Sequence, residues 1–326
     1  MIASTNTARA TRRLRTIRSE WETWCFSSHI DPDRPSADDV ITYVQDRTDK
    51  KNWLPNTSRS HASAVTRLLS IDVRSAIQQS PEYRLFHRSI RSSQIRPLRE
   101  ATYYLTPAYD HLRALGPNDL LSPIDLACKT AWLLGIAGFY RSSDMARIDL
   151  AQSTFDRTTF DSDFIILACV APKEKRQGCH YVRATRFQKH ADPALCPVRA
   201  FYAYVQCFAS SMSRSPHPSM RNVTIVPLFR MILHHRTRVQ AATIKSYTNQ
   251  IMDLVTCDPP SKRRPNTRAL GSTLAVLAGA DVNAVCSRGG WSSSEMFESF
   301  YRLSSASHID FTSLTLDDPV TAALTA

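Results

Sequence analysis

Residues 163–187 have the pattern of a β-hairpin, in a chain whose other patterns are helical. DFIILACV is rich in strand-forming residues, KEKRQG is a polar, lysine-rich turn with Gly178, and HYVRATRF has the composition of a second strand. In TRRLRTIRSEWETWCFSSH and LACKTAWLLG, by contrast, apolar residues fit buried helical faces. These patterns predict a mainly α fold with a small β-hairpin or sheet, an α+β class.

Short helices are predicted over about residues 9–75, with Ser36 as the N-cap of the second helix. A third helix is predicted across NTSRSHASAVTRLLSIDV, capped by Asn56 or Thr57. Arginines lie on the polar faces of this bundle, which makes them candidate contacts for an anionic partner; a solvated helix surface is the alternative. The candidates are Arg12, Arg13, Arg59 and Arg67.

The segment 93–105 is basic, contains Pro97 and lacks clean periodicity, so we interpret it as a linker. It divides an N-terminal helical domain, residues 1–92, from a second domain, residues 106–303. Thr106 followed by Pro107 is a helix-start signal at the opening of that second domain. Residues 304–326 form a less basic tail, which we expect to contact a neighbouring protomer or to dock on its own domain.

The net charge of +12 and the excess of arginine favour a polyanionic partner. A basic protein that is soluble but has no such partner would show the same balance of charged residues. No apolar run reaches the ~18 residues that would span a membrane. The arginine-rich N-terminus lacks the apolar segment of a secretory signal, and a transit peptide is the remaining alternative for it. The eight cysteines include no CxxC pair, which predicts a reduced intracellular protein with no metal site.

Two arginine-centred segments carry the most specific signal. They are GIAGFYRSSDMARI, with Arg141 and Asp144, and RALGSTLAVLAGADVNAVCSRGGW, with Arg268 and Trp291. They resemble the two arginine boxes of the tyrosine recombinases, the phage-integrase family. The resemblance assigns Tyr301 as the nucleophile, the two arginines and Trp291 to phosphate binding, and Asp144 to a supporting position.

This sequence departs from the family pattern in two places. Pro265 stands where the family usually has a histidine, and proline can neither donate a hydrogen bond nor move a proton; Asn266 or Lys262 is an alternative for that space. Tyr301 lies one residue beyond the usual spacing, which falls on Phe300. Since a phenyl ring cannot attack phosphorus, Tyr301 is the candidate.

The lysine-rich turn APKEKRQG corresponds to the β-turn on which the family places its catalytic lysine. Lys173 is the better match to that lysine, and Lys175 is the second candidate. The alternative is that these lysines only solvate the turn. LTPAYDHLRAL and CPVRAFYAYV resemble two further family segments. The resemblance covers about residues 10–303.

The resemblance implies a site-specific recombinase that cuts and rejoins DNA through a 3′-phosphotyrosyl intermediate, without metal, ATP or other cofactor. It implies an N-terminal core-binding domain and a catalytic domain that clamp double-stranded DNA, and a tetramer on paired recombination sites. In that clamp, Arg12, Arg13, Arg59 and Arg67 would be DNA-phosphate contacts. The protein would act in the nucleus if eukaryotic, as a Crypton-like transposon recombinase, and otherwise in the cytoplasm, with no membrane partner.

The sequence leaves three alternative functions open. The first is a catalytically inactive, domesticated DNA-binding protein of the same fold, which Pro265 and the shifted tyrosine would suit. The second is a type IB topoisomerase, which shares the chemistry but needs no cognate site. The third is a helical scaffold unrelated to nucleic acid.

Overall fold

The computed structural model of the chain describes residues 8–92, 101–175, 178–220, 222–260 and 264–304, without the side chains of residues 8–11 and 91. The chain forms two compact units, Met1–Pro97 and Leu98–Ala326. Lys262, most of the predicted linker and all of the predicted tail except Ser304 lie outside the described residues.

The first unit is helical in its described part. Its helices are α1 (Ala8–Ser27), α2 (Ala37–Lys51), α3 (Pro55–Thr66), α4 (Ile71–Gln79) and α5 (Pro81–Ser92). Ser36 is the N-cap of α2 as predicted: its hydroxyl accepts from the Asp39 N–H at 3.1 Å, and the Asp39 carboxylate accepts from the Ser36 N–H at 2.7 Å. Trp21 and Tyr43 pack edge to face in the core of this unit.

The single third helix that we predicted is wrong, because the chain turns after Thr66 and begins α4 at Ile71. The helix also starts at Pro55, without a side-chain cap from Asn56 or Thr57. Arg74 explains why the break is stable: its guanidinium donates to three carbonyls near the end of α3, at 2.9–3.0 Å. These bonds satisfy acceptors that a continuous helix would have used internally.

The second unit combines helices with short antiparallel strands. Its elements are β1 (Thr102–Tyr104), α6 (Thr106–Ala114), α7 (Pro123–Ala137), α8 (Ser142–Met145), β2 (Phe164–Val170), β3 (Val182–Gln188), α9 (Pro197–Tyr204), β4 (Ser215–Pro216), β5 (Thr224–Ile225), α10 (Ala241–Met252), β6 (Thr256–Asp258), α11 (Thr267–Leu277), α12 (Val282–Gly289) and α13 (Ser294–Phe300).

The predicted hairpin is present as β2 and β3, with Phe164 opposite Gln188 and Val170 opposite Val182. The α+β class is therefore confirmed. One detail differs from the sequence prediction. The end of the predicted linker forms β1, because residues 102–104 pair with residues 256–258.

Helix α7 is the centre of the second unit, with all residues from Leu126 to Gly135 buried. It packs against α9, α10 and α11. Its closest approach to α11 is made possible by Gly271: a Cβ there would lie 2.0 Å from the Ile136 carbonyl oxygen. This contact sets the spacing between the end of α7 and the start of α11.

We expect Gly271→Ala to lower the free energy of unfolding by about 1–3 kcal/mol, because the new methyl group meets backbone that cannot rotate away. Gly135→Ala, on the facing helix, is the matched control. Its Cβ would meet the Thr267 hydroxyl at 2.9 Å, and a side chain can move. Urea denaturation of both variants checks this, and equal losses would contradict it.

No helix in the described ranges is long and apolar enough to cross a membrane. The eight cysteines are all unpaired, and five of them are buried. Within the described part of the chain there is no cluster of three or more His, Cys, Asp or Glu side chains that could hold a metal ion.

Candidate active site

The two predicted arginines lie together where α7 and α11 meet. Arg268 is in the first turn of α11 and its side chain is 1% exposed. It donates from Nη1 to the Phe139 carbonyl at 2.7 Å, just after the end of α7. Arg141 follows two residues later, as the N-cap of α8. The close packing of α7 on α11 thus brings together side chains that are far apart in the sequence.

A carboxylate that the sequence analysis did not single out joins the two arginines. Glu174, at the tip of the hairpin, accepts through Oε1 from Arg268 Nη2 at 3.0 Å and from Arg141 Nη1. Its Oε2 is buried and has no hydrogen-bond partner among the described residues. No periodicity in KEKRQG indicates which side chain of a polar turn points inward, so the sequence carries no signal for Glu174.

Tyr301 reaches the same cluster. Its hydroxyl accepts from Arg141 Nη2 at 2.6 Å, and its ring lies 5.1 Å from the Arg268 guanidinium. Phe300, which stands at the usual family spacing, is 55% exposed. The segment is fixed to α11 by Thr273, whose hydroxyl donates to the Tyr301 carbonyl at 3.4 Å and accepts from the Leu303 N–H at 2.8 Å.

Trp291 packs against Arg268 and Tyr301. Its ring lies 4.1 Å from the Arg268 guanidinium and 4.9 Å from the Tyr301 ring. The indole Nε1 is buried without a hydrogen-bond partner in the described structure, so one donor is free for a ligand. Gly289 makes room for the ring, because a Cβ there would lie 2.0 Å from it.

Asp144 lies fully buried behind Arg141. Its carboxylate is 3.7 Å from Arg141 and 3.7 Å from Arg183, and it accepts the Lys173 backbone N–H at 3.4 Å. Arg183, on β3, also donates to the Gly289 carbonyl at 2.7 Å. It therefore ties the hairpin to the Trp291 segment. Strand alternation with buried Phe187 was a signal that could have indicated an inward Arg183.

The structure does not bring the predicted lysines into this cluster. Lys173 and Lys175 are both exposed at the hairpin tip. Pro265 lies just before α11, and Asn266 is its N-cap, with its side chain accepting the Ala269 N–H at 2.9 Å. The Asn266 oxygen thus already has a structural role.

The candidate DNA-binding arginines lie in the first unit. Arg12 and Arg13 on α1 and Arg67 at the end of α3 are exposed, whereas Arg59 on α3 is half-buried. All four stay candidates for phosphate contacts.

Arg141, Arg268 and Glu174 shift one another's pKa values, and these shifts favour an anion beside the two arginines. Burial lowers the pKa of Arg268, as does the nearby charge of Arg141, and Glu174 opposes both. For Arg141 burial acts in the same direction, but the hydrogen bond and charge of Glu174 raise its pKa overall. Burial would raise the pKa of Glu174, yet the bond from Arg141 and the two positive charges hold it below its ordinary value. Glu174 is therefore ionised at neutral pH.

This lowered pKa predicts a pH dependence. A carboxylate with a depressed folded-state pKa contributes stability that is present above its unfolded-state value and is lost as the pH falls through the folded value. We expect the difference in unfolding free energy between wild type and Glu174→Gln to be constant above its ordinary pKa of 4.5 and to shrink below it. Urea denaturation across pH 3.5–7 measures this, and a difference that grows on acidification would contradict it.

Comparison with known proteins gives matches at the level of structure. No family model matches the sequence, and no curated protein matches it. The Tn1549 transposon integrase in complex with transposon right end DNA is 13% identical with a TM-score of 0.52, over 91% of this chain and 87% of that chain. The same integrase with circular intermediate DNA is 13% identical with a TM-score of 0.50, over 87% and 85%.

A lambda integrase dimer bound to a COC′ core site is 10% identical with a TM-score of 0.49, over 92% of this chain and 90% of that chain. The similarity to the Tn1549 integrase shows that this chain has the fold of the tyrosine recombinases. The fold that the sequence resemblance implied is thereby confirmed.

Proposed function

We propose that this chain, which has the fold of the tyrosine recombinases, is a site-specific recombinase with Tyr301 as its nucleophile. The observation that carries the proposal is the position of Tyr301: its hydroxyl lies 2.6 Å from Arg141 Nη2, and its ring lies 5.1 Å from the guanidinium of buried Arg268. Two guanidinium groups beside a phenol are suited to a phosphodiester, whose non-bridging oxygens gain charge as phosphorus becomes five-coordinate.

In the proposed reaction, Tyr301 Oη forms a bond to phosphorus and the bond from phosphorus to the 5′ oxygen breaks. The phenolic proton passes to solvent, and the leaving 5′ oxygen takes a proton from Lys173 or Lys175. Arg141, Arg268 and the free indole N–H of Trp291 would hold the non-bridging oxygens. The phosphotyrosyl bond conserves the energy of the phosphodiester, so religation needs no ATP.

The substrate in this proposal is double-stranded DNA with paired recombination sites, bound by a homotetramer. The first unit would serve as the core-binding domain and the second as the catalytic domain. Exposed arginines such as Arg12, Arg13 and Arg67 support phosphate contacts from the first unit, which predict steeply salt-dependent binding.

The test incubates the protein with a nicked DNA duplex that carries the terminal sequence of its own mobile element. The nick traps the cleaved strand on the protein. We expect a covalent adduct on a denaturing gel, with the modified peptide containing Tyr301. DNA binding in a gel shift without any adduct would favour the inactive DNA-binding protein, which the proline at 265 suits. Relaxation of a supercoiled plasmid that lacks the site would favour a type IB topoisomerase.

A further inference from the structure

At the hairpin tip, the Glu174 carboxylate occupies the position where the proposed reaction would bind the negatively charged phosphate. Glu174 Oε1 accepts from both Arg141 and Arg268, while its second oxygen is buried without a partner in the described structure. One oxygen held by two guanidinium groups is the arrangement expected for a non-bridging phosphate oxygen. A carboxylate and a phosphate cannot share this position, because like charges so close repel each other.

The same tip carries Lys173, the better match of the two candidate catalytic lysines, and its side chain is exposed. Lys173 is exposed while Glu174 is 18% exposed and directed at the arginines. The tip as it stands therefore presents Glu174 to the arginines and Lys173 to solvent, and bringing Lys173 inward requires Glu174 to leave.

We infer that Glu174 is an internal competitor for the scissile phosphate, and that the displacement of Glu174 by DNA is the step that frees the tip to deliver Lys173. This inference rests on the proposed function and adds a mode of regulation to the same site. Without DNA, the carboxylate offsets part of the positive charge of Arg141 and Arg268 and keeps the lysine away from them. An arriving phosphate replaces the carboxylate as the arginines' partner.

The first test measures anion binding alone, with inorganic phosphate as the probe. Glu174→Gln keeps the shape of the side chain but removes its charge. We expect it to bind phosphate about 5–150-fold more tightly than wild type, the range expected for two coupled ligands. Titration of the melting temperature against phosphate, with chloride at equal ionic strength as the reference, gives both affinities.

Glu295→Gln is the matched control, because it makes the same chemical change on an exposed residue in the first turn of α13. Its phosphate affinity should equal that of wild type. Adding Arg141→Gln to Glu174→Gln should remove the gain, which places the bound phosphate at the arginine pair. Equal phosphate affinity in wild type and Glu174→Gln would overturn the inference.

Glu174→Gln leaves a buried guanidinium without its ionic partner, so the variant could fail to fold in anion-free buffer. In that case, folding restored by phosphate and not by chloride supports the inference, and folding restored by neither overturns it. Far-ultraviolet circular dichroism distinguishes the two results.

A second test uses the nicked duplex at subsaturating concentration. Glu174→Gln should form adduct faster than Glu295→Gln, because the phosphate no longer competes with a carboxylate. An adduct rate in Glu174→Gln no higher than in Glu295→Gln would overturn the inferred competition with DNA. If no variant forms an adduct but Glu174→Gln binds phosphate more tightly, the proposed function fails while the anion competition stands.

Discussion

Tyr301→Phe is expected to abolish the covalent protein–DNA adduct while DNA binding is retained. The substitution removes one oxygen, which is the atom that would attack phosphorus. It keeps the ring that packs on Trp291 and lies near Arg268, and it removes only the hydrogen bond from Arg141. The loss should therefore be chemical and not structural. The nicked-duplex assay on a denaturing gel measures the adduct, and a gel shift measures binding.

Phe300 supplies the matched controls for this prediction. Phe300→Leu should leave adduct formation unchanged, because its side chain is 55% exposed. The double variant Tyr301→Phe with Phe300→Tyr moves the hydroxyl to the usual family spacing. We expect no rescue, since Tyr301 is the residue bonded to Arg141, whereas position 300 is more than half exposed. An adduct in Tyr301→Phe, or a rescue by the double variant, would contradict the assignment of Tyr301.

The elements that position the site were largely predictable because they repeat a pattern over many residues. Strand-forming residues on both sides of a polar turn predicted the hairpin, and the apolar run of LACKTAWLLG predicted α7. The break between α3 and α4 was missed because it depends on Arg74 and the three carbonyls it satisfies. A contact made by a single side chain leaves no trace in periodicity.

The interior of the site was predictable only in part, for the same reason. The family resemblance indicated Arg141, Arg268 and Tyr301, and these three lie together in the structure. Glu174 was not indicated, since its inward direction is set by the conformation of a short turn. Under the proposed function, its charge lies at the place where a phosphate would bind.

Arg268→Lys is expected to lower the single-turnover rate of adduct formation by about 10²–10³, the loss measured elsewhere for one oxyanion donor. Lysine keeps a positive charge but lacks the planar fork that allows Arg268 to serve Phe139 and Glu174 together. At a position that is 1% exposed, an ammonium also loses its proton more readily than a guanidinium. The rate should be measured with saturating DNA, so that weakened binding does not contribute.

Arg288→Lys separates this chemical effect from a loss of packing. Arg288 also donates to backbone carbonyls of the second unit, those of Ala137 at 2.9 Å and Arg186 at 3.0 Å. It has no hydrogen bond to Tyr301 or Glu174 in the described structure. If Arg268 acts on the phosphate, Arg268→Lys slows the reaction far more than Arg288→Lys when both variants are folded by circular dichroism. Equal rates would mean that Arg268 only supports the fold, and that the phosphate is held elsewhere.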